Sequence, residues 1–217
     1  MEDIQFNRLE AYILGAGGFA RELESWTEQT RSFNKKYNLV GFLDDDPHAL
    51  ALYRSPYGIV GDLSANTIAD VKHVIIGIAN SQVKEKLLLS CESYDVNFID
   101  FIHHLSAIGN ETNYGKGLVV CPFVVISCNV NIGVAVTINS GSQIGHDVII
   151  GDYCSIMANV DLGGGVVLGD HVFVGSNAVI LPGVHIPSHT RIGAGSVVLR
   201  SIKSAGTYFG NPAKKIM

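Results

Sequence analysis

The clearest capacity for chemistry in this chain lies in His146 and Asp147, adjacent in the run Ile144-Gly145-His146-Asp147. An imidazole titrates near neutrality and can take a proton from an amine or hydroxyl. A neighbouring carboxylate can orient the ring and support its protonated form. No cysteine or serine motif accompanies the histidine, so direct transfer is the simplest chemistry: His146 acts as general base while a nucleophile attacks an activated acyl group. An interface histidine that only packs or hydrogen-bonds is the alternative role.

A second cluster is Gly15-Ala16-Gly17-Gly18, directly after the apolar run Ala11-Tyr12-Ile13-Leu14 and before a helical face carrying Phe19, Leu23 and Trp26. Strand, glycine turn and helix open a nucleotide-binding unit, because the glycines let the backbone approach a phosphate and the helix start presents unpaired amides. The full dinucleotide spacing needs one more glycine where Ala20 stands, so an intact nicotinamide dinucleotide is not expected. Another phosphate-bearing ligand, or a turn kept only for tight packing, remains open. Asp44, Asp45 and Asp46 end the next apolar run, residues 39–43. There a carboxylate can accept hydrogen bonds from a ribose or base, or simply form an exposed acidic turn. His103-His104 marks a connector, and packing is the commoner role for such a pair. The four cysteines, at 91, 121, 128 and 154, fit neither a zinc motif nor a disulfide framework, and no metal site is expected.

The elements that must position these groups are of two kinds. From Val120 to Val198 every sixth residue is aliphatic, through Ile126, Ile132, Ile138, Ile144 and onward without a slip, and a small or β-branched residue stands two places before most of them. A period of six matches neither a helix nor an alternating strand, and it reads as a solenoid. Three such edges close a coil of about 18 residues, and stacked coils bury the aliphatics. Glycines after the aliphatics, as at Gly133, Gly145, Gly151 and Gly163, mark sharp corners that need a positive φ or close backbone approach. Ile102 and Ile108 are in phase, so the repeat starts near residue 102 and loses regularity across Tyr114. The interior is full, which leaves chemistry to an outer face, most simply where two prisms lie side by side. His146, two residues after Ile144, points outward.

Before residue 102 the pattern is α/β. Short strands are expected over 11–14, 39–43, 58–60, 73–78 and 96–101, with a helix beginning at Ser81 after Ala79-Asn80. The tail, with Arg200, Lys203, Lys214 and Lys215, is too irregular for coils and is expected to fold back as a cap. With 47% apolar and 16% charged residues the chain is globular, and a formal charge of −5 argues against nucleic acid as a partner. The start, MEDIQFNRLE, has no signal-peptide character and no run reaches membrane-spanning length, so a cytoplasmic protein is expected.

Together, YILGAGGFARE, GFLDDD, IIGIAN, IGHDVIIGD and FGNPAKKI resemble the hexapeptide-repeat, left-handed β-helix acyltransferases. The likeness is to their two-domain sugar branch in bacterial glycan biosynthesis, which includes sialic acid O-acetyltransferases and N-acetyltransferases of nucleotide-linked amino-sugars. The resemblance implies a Rossmann-like nucleotide-sugar-binding domain over 1–101 and a left-handed parallel β-helix acyltransferase domain over 102–217 with a short C-terminal cap. It also implies a homotrimer with active sites between subunits, and acetyl-CoA as co-substrate. Gly15, Gly17 and Gly18 would contact the nucleotide, Asp44 and Asp45 would lie near its base or ribose, and Asn80 would close the pocket. His146 would be the catalytic base with Asp147 beside it, and Asn139 would lie close to the reacting sugar. Gly164, Ser176 and Ala194 would line the pantetheine. Ser155 stands where many members carry a histidine that contacts the thioester, and a serine can donate a hydrogen bond there but supplies no imidazole. N-acetylation of a nucleotide-linked amino-deoxy sugar is the function implied, with O-acetylation of sialic acid as the alternative.

Overall fold

A computed structural model describes residues 8–216; most of the polar N-terminal start lies outside that range. The chain divides into two compact units, residues 1–78 with 86–99, and residues 79–85 with 100–217.

The first unit is a parallel sheet of five strands: β1 (Leu9–Leu14), β2 (Tyr37–Leu43), β3 (Ile59–Gly61), β4 (His73–Ile76) and β5 (Asn97–Phe98), in the spatial order β3-β2-β1-β4-β5. The central strands are buried, with Ile13, Leu14, Phe42, Leu43, Val74 and Ile75 fully covered. Helices are α1 (Gly18–Thr27), α2 (Arg31–Lys36), α3 (Ala65–Val71) and α4 (Ser81–Ser90). The strand order reverses beside β1, which places the turn after β1 at the switch point where open α/β sheets take ligands. Neither α2 nor α3 is legible as a strong periodic run; α3 is started by Ser64, whose hydroxyl accepts from the Thr67 N–H. The expected strand over 96–101 is two strands: 97–98 pairs in this sheet, while Phe101–Ile102 pairs with Val119–Val120.

The second unit is a stack of three-sided coils. One face carries strands 107–108, 125–126, 143–144, 161–162, 179–180 and 197–198. The second carries 113–114, 131–132, 149–150, 167–168 and 185–186, and the third carries 101–102, 119–120, 137–138, 155–156, 173–174 and 191–192. Each strand pairs in parallel with the one 18 residues on, as in Val125 with Gln143 and Ile126 with Ile144. The register passes through Tyr114 unbroken, since Asn113 and Tyr114 pair with Asn131 and Ile132; the tyrosine interrupts the sequence pattern but not the coil. Ile126, Ile132, Ile138, Ile144 and their successors are no more than 5% exposed. Each such side chain contributes about 1.5–3 kcal/mol on burial, which explains why the spacing never drifts. Thr207–Phe209 extends the third face and pairs antiparallel with Lys214–Lys215, forming the expected cap.

The left-handed corners fall two residues later than the glycines after the aliphatics. Every sixth residue from Glu111 to Gly195 has φ between 52° and 74°, and most of them carry a side chain, among them Asn129, Asp147, Tyr153, His171 and His189. Hydrogen bonds to the preceding coil hold this costly conformation, as from Asp147 N–H to the Cys128 carbonyl at 3.1 Å. The glycines directly after the aliphatics serve close approach instead: a Cβ on Gly145 would stand 2.6 Å from the Gly164 nitrogen.

Candidate active site

His146 and Asp147 stand at the corner between the first and second faces. Their side chains are 65% and 57% exposed, and Nδ1 of the ring lies 2.7 Å from Asp147 Oδ2. The left-handed φ of Asp147, 60°, turns two adjacent side chains toward each other, which an extended chain does not do. Bonding to His146, and then to Asn129, holds the Asp147 carboxyl below its usual range. An ionised carboxylate only accepts, so His146 Nδ1 donates and Nε2 is left with the lone pair.

One coil on, Gly164 lies beneath the ring. A Cβ there would come within 2.5 Å of Nε2 and 2.6 Å of Cε1, so the position requires glycine while the ring holds this place. Gly165 and Gly183 continue the corner without side chains, leaving open space beside the imidazole. One coil back stands Cys128, an exposed thiol. The sequence reading puts no cysteine beside His146, but the 18-residue stacking does so; the offset is visible in the sequence once the coil length is used.

The remaining positions of interest separate by corner. Asn139, Ser176 and Ala194 stand between the third and first faces, at the opposite edge of the first face from His146 and Gly164. The Asn139 side-chain oxygen accepts from the Ser140 N–H at 2.6 Å, and Asn139 makes no hydrogen bond to His146 among the described residues. Ser155 is buried on the third face. Its hydroxyl donates to the Ala79 carbonyl at 2.7 Å and accepts from Lys84 Nζ at 3.0 Å. Asn80 and Ser155 share a cavity of about 410 Å³, whose walls also include His171, Phe173, His189 and Arg191, and which His146 does not line. At its edge Tyr153, His171 and His189 stack at 18-residue spacing, with ring centroids 5.0 and 4.6 Å apart. His103 is buried against His104 at 4.4 Å, and burial lowers its pKa.

In the first unit the glycines divide their roles. Gly15, with φ 86°, packs so that a Cβ would meet Ile78 at 2.8 Å, whereas Gly17 has open space and Gly18 only the end of Arg21 nearby. Asp44 fastens the turn, since Oδ2 accepts from the Ala16 N–H at 2.7 Å and Oδ1 from the Asp46 N–H at 2.9 Å; Asp45 accepts from the Leu63 N–H at 2.9 Å. Sequence reasoning missed Arg21, whose guanidinium donates to the Ala16 carbonyl at 3.2 Å and lies 3.5 Å over the Tyr53 ring. A cation beside an open glycine turn suits a phosphate.

Comparison with known proteins bears on this arrangement. Residues 10–91 match the PglD N-terminal domain, and residues 147–181 and 165–200 match the bacterial transferase hexapeptide (six repeats). GDP-perosamine N-acetyltransferase of Escherichia coli O157:H7 is 32% identical over 141 residues, 62% of this chain; the match spans 61% of that relative's length. PerB from Caulobacter crescentus, solved in complex with CoA and GDP-perosamine, is 27% identical with a TM-score of 0.82, covering 95% of this chain and 96% of PerB. WeeI from Acinetobacter baumannii AYE is 27% identical with a TM-score of 0.81, covering 96% and 100% of the two chains. The chain is therefore a hexapeptide-repeat protein related to the GDP-perosamine- and PglD-type nucleotide-sugar N-acetyltransferases.

Proposed function

We propose that the protein is an acetyl-CoA-dependent N-acetyltransferase that acylates the amino group of a nucleotide-linked amino-deoxy sugar. The observation that carries this reading is the His146–Asp147 pair, bonded at 2.7 Å with Nε2 over Gly164. Likeness over 95% of the chain to PerB, a protein solved with CoA and a nucleotide-linked sugar, supports the donor and the acceptor class. In this mechanism His146 Nε2 takes the amine proton as the nitrogen attacks the thioester carbonyl, and Asp147 steadies the imidazolium. Backbone N–H groups at the corners stabilise the oxyanion, and His146 returns the proton to the departing thiolate as the carbon–sulfur bond breaks.

Residues 1–101 act as the nucleotide-sugar-binding domain in this reading, and residues 102–217 as the acyltransferase domain, a left-handed β-helix. Gly17 and Gly18 face the nucleotide, supported by the open space above them, with Gly15, Asp44 and Asp45 shaping that turn. Gly164, Ser176 and Ala194 face the donor. The Ser155 hydroxyl is engaged with Lys84 and Ala79, so it reaches a thioester only by exchanging a partner. Three copies assemble with each site between neighbours, a reading supported by the open flank of His146.

The test is CoA release from acetyl-CoA across nucleotide-linked 4-amino- and 3-amino-deoxy sugars and free sialic acid, with product masses checked for one added acetyl group. Turnover on one nucleotide amino-sugar, lost by at least 100-fold in His146→Ala while the nucleotide-sugar still binds, is the expected result. Turnover on sialic acid alone moves the assignment to O-acetylation. Full turnover by a folded His146→Ala protein removes the base.

A further inference from the structure

Asn129 occupies the same corner as Asp147 one coil earlier, and both are left-handed, with φ 57° and 60°. Its side-chain amide donates to Asp147 Oδ1 at 3.2 Å, while Asp147 Oδ2 accepts from His146 Nδ1 at 2.7 Å. The carboxylate is therefore held by both oxygens on an otherwise open corner, where a solvated aspartate samples several rotamers. On the far side the column continues as Gly165 and Gly183, which offer no competing side chain. On the near side stands Glu111, the preceding residue of the column, so Asn129 is interposed between two carboxylates. Cys128 is the other titratable neighbour on that coil.

We propose that Asn129 is a positioning residue for the transfer reaction: it holds Asp147 so that the His146 ring stays over Gly164 with Nε2 facing the open space. This rests on His146 being the base, but the arrangement of the three side chains can be tested apart from turnover.

Two full-length variants separate the effects. Asn129→Gly removes the amide while suiting the left-handed corner, and Asn129→Asp keeps the shape but faces Asp147 and Glu111 with another carboxylate. NMR titration of the His146 imidazole reads the arrangement directly. Its pKa is expected to fall by about half a unit in Asn129→Gly, as Asp147 swings away, and to rise by about as much in Asn129→Asp. With the best acceptor, kcat of Asn129→Gly is expected to fall about tenfold, with both KM values within about twofold of wild type. The acid limb of the kcat profile should follow the imidazole in each variant. A purely structural role would leave His146 titrating as in wild type, and that result overturns the proposal; so does a shifted imidazole with unchanged kcat. If instead His146→Ala retains turnover, the base assignment fails whatever the Asn129 variants do.

Discussion

A single missing side chain decides where the His146 ring can rest. Gly164 gives the imidazole a floor, and a methyl group there would stand 2.5 Å from Nε2. The ring is exposed enough to swing aside, but doing so strains or breaks its 2.7 Å bond to Asp147. With His146 as the base proposed above, Gly164→Ala is expected to lower kcat by about 10- to 100-fold through misplacement of the ring. Its thermal midpoint should stay within a few degrees of wild type, because the corner is at the surface. Steady-state kinetics beside a melting curve checks this, and an unchanged kcat would mean that the ring's resting place is irrelevant to turnover. His146 and Asp147 are legible in the sequence because adjacent acid and base are a local signal. Asn129 and Cys128 meet the pair only across 18 residues of coil, so they become legible only once that length is applied, and Gly164, named by the resemblance for the donor side, shows its place under the ring only in the structure. Arg21 escaped notice for a similar reason: its position on a helical face says nothing of a guanidinium folded back onto the turn and over Tyr53.

Among the elements, the start of α4 is held to the third face by an unusual strut. Lys84 is fully buried, and its Nζ donates to the Cys154 carbonyl at 2.9 Å, to Ser155 Oγ at 3.0 Å and to Thr137 Oγ1 at 3.5 Å. Three donors meet three neutral acceptors, and burial pulls the amine down to about 7. Exposed in the unfolded chain, the same amine titrates near 10.4. Between those values the unfolded state binds more protons, so the penalty for burying Lys84 is full below about pH 7 and fades as pH rises. Burial keeps the Cys154 thiol at about 12, so it stays neutral throughout that window. Urea unfolding at pH 7 and pH 9 should therefore show wild type gaining stability relative to Lys84→Met as pH rises. A constant difference between the two proteins would mean that Lys84 is not depressed. The sheet and the coils were readable in outline, from glycine turns and from a strict period. The strut was not: Lys84 lies in a polar stretch of helix, and only tertiary contact distinguishes it from a solvated lysine.

For the whole molecule, the two corners that flank the first face set the terms of assembly. The Ser140-Gly141 turn and the whole of the first-face strand separate Asn139 from His146, and even a fully extended chain would span at most about 23 Å between them. In the trimer proposed above, a second copy brings its Asn139 corner to the first copy's His146, so that the two residues serve one reaction centre. Two variants inactive alone, His146→Ala and Asn139→Ala, should then complement when co-expressed. Random mixing in a trimer leaves about a quarter of the sites with both residues intact, and about that share of wild-type activity should return. No recovery in mixed assemblies, verified by distinguishable tags, would place both residues' work within one chain or remove Asn139 from it. The constant offset of 18 residues also governs how this molecule can change over time. Adding or removing six residues between His146 and Gly164 turns every later position onto a different face, carrying Gly164 away from His146, while a smaller change breaks the register outright. Only whole turns can be gained or lost with every face kept in phase, so the length of the coiled part of the chain is quantised. Gradual insertion is confined to loops that leave a corner and return to it.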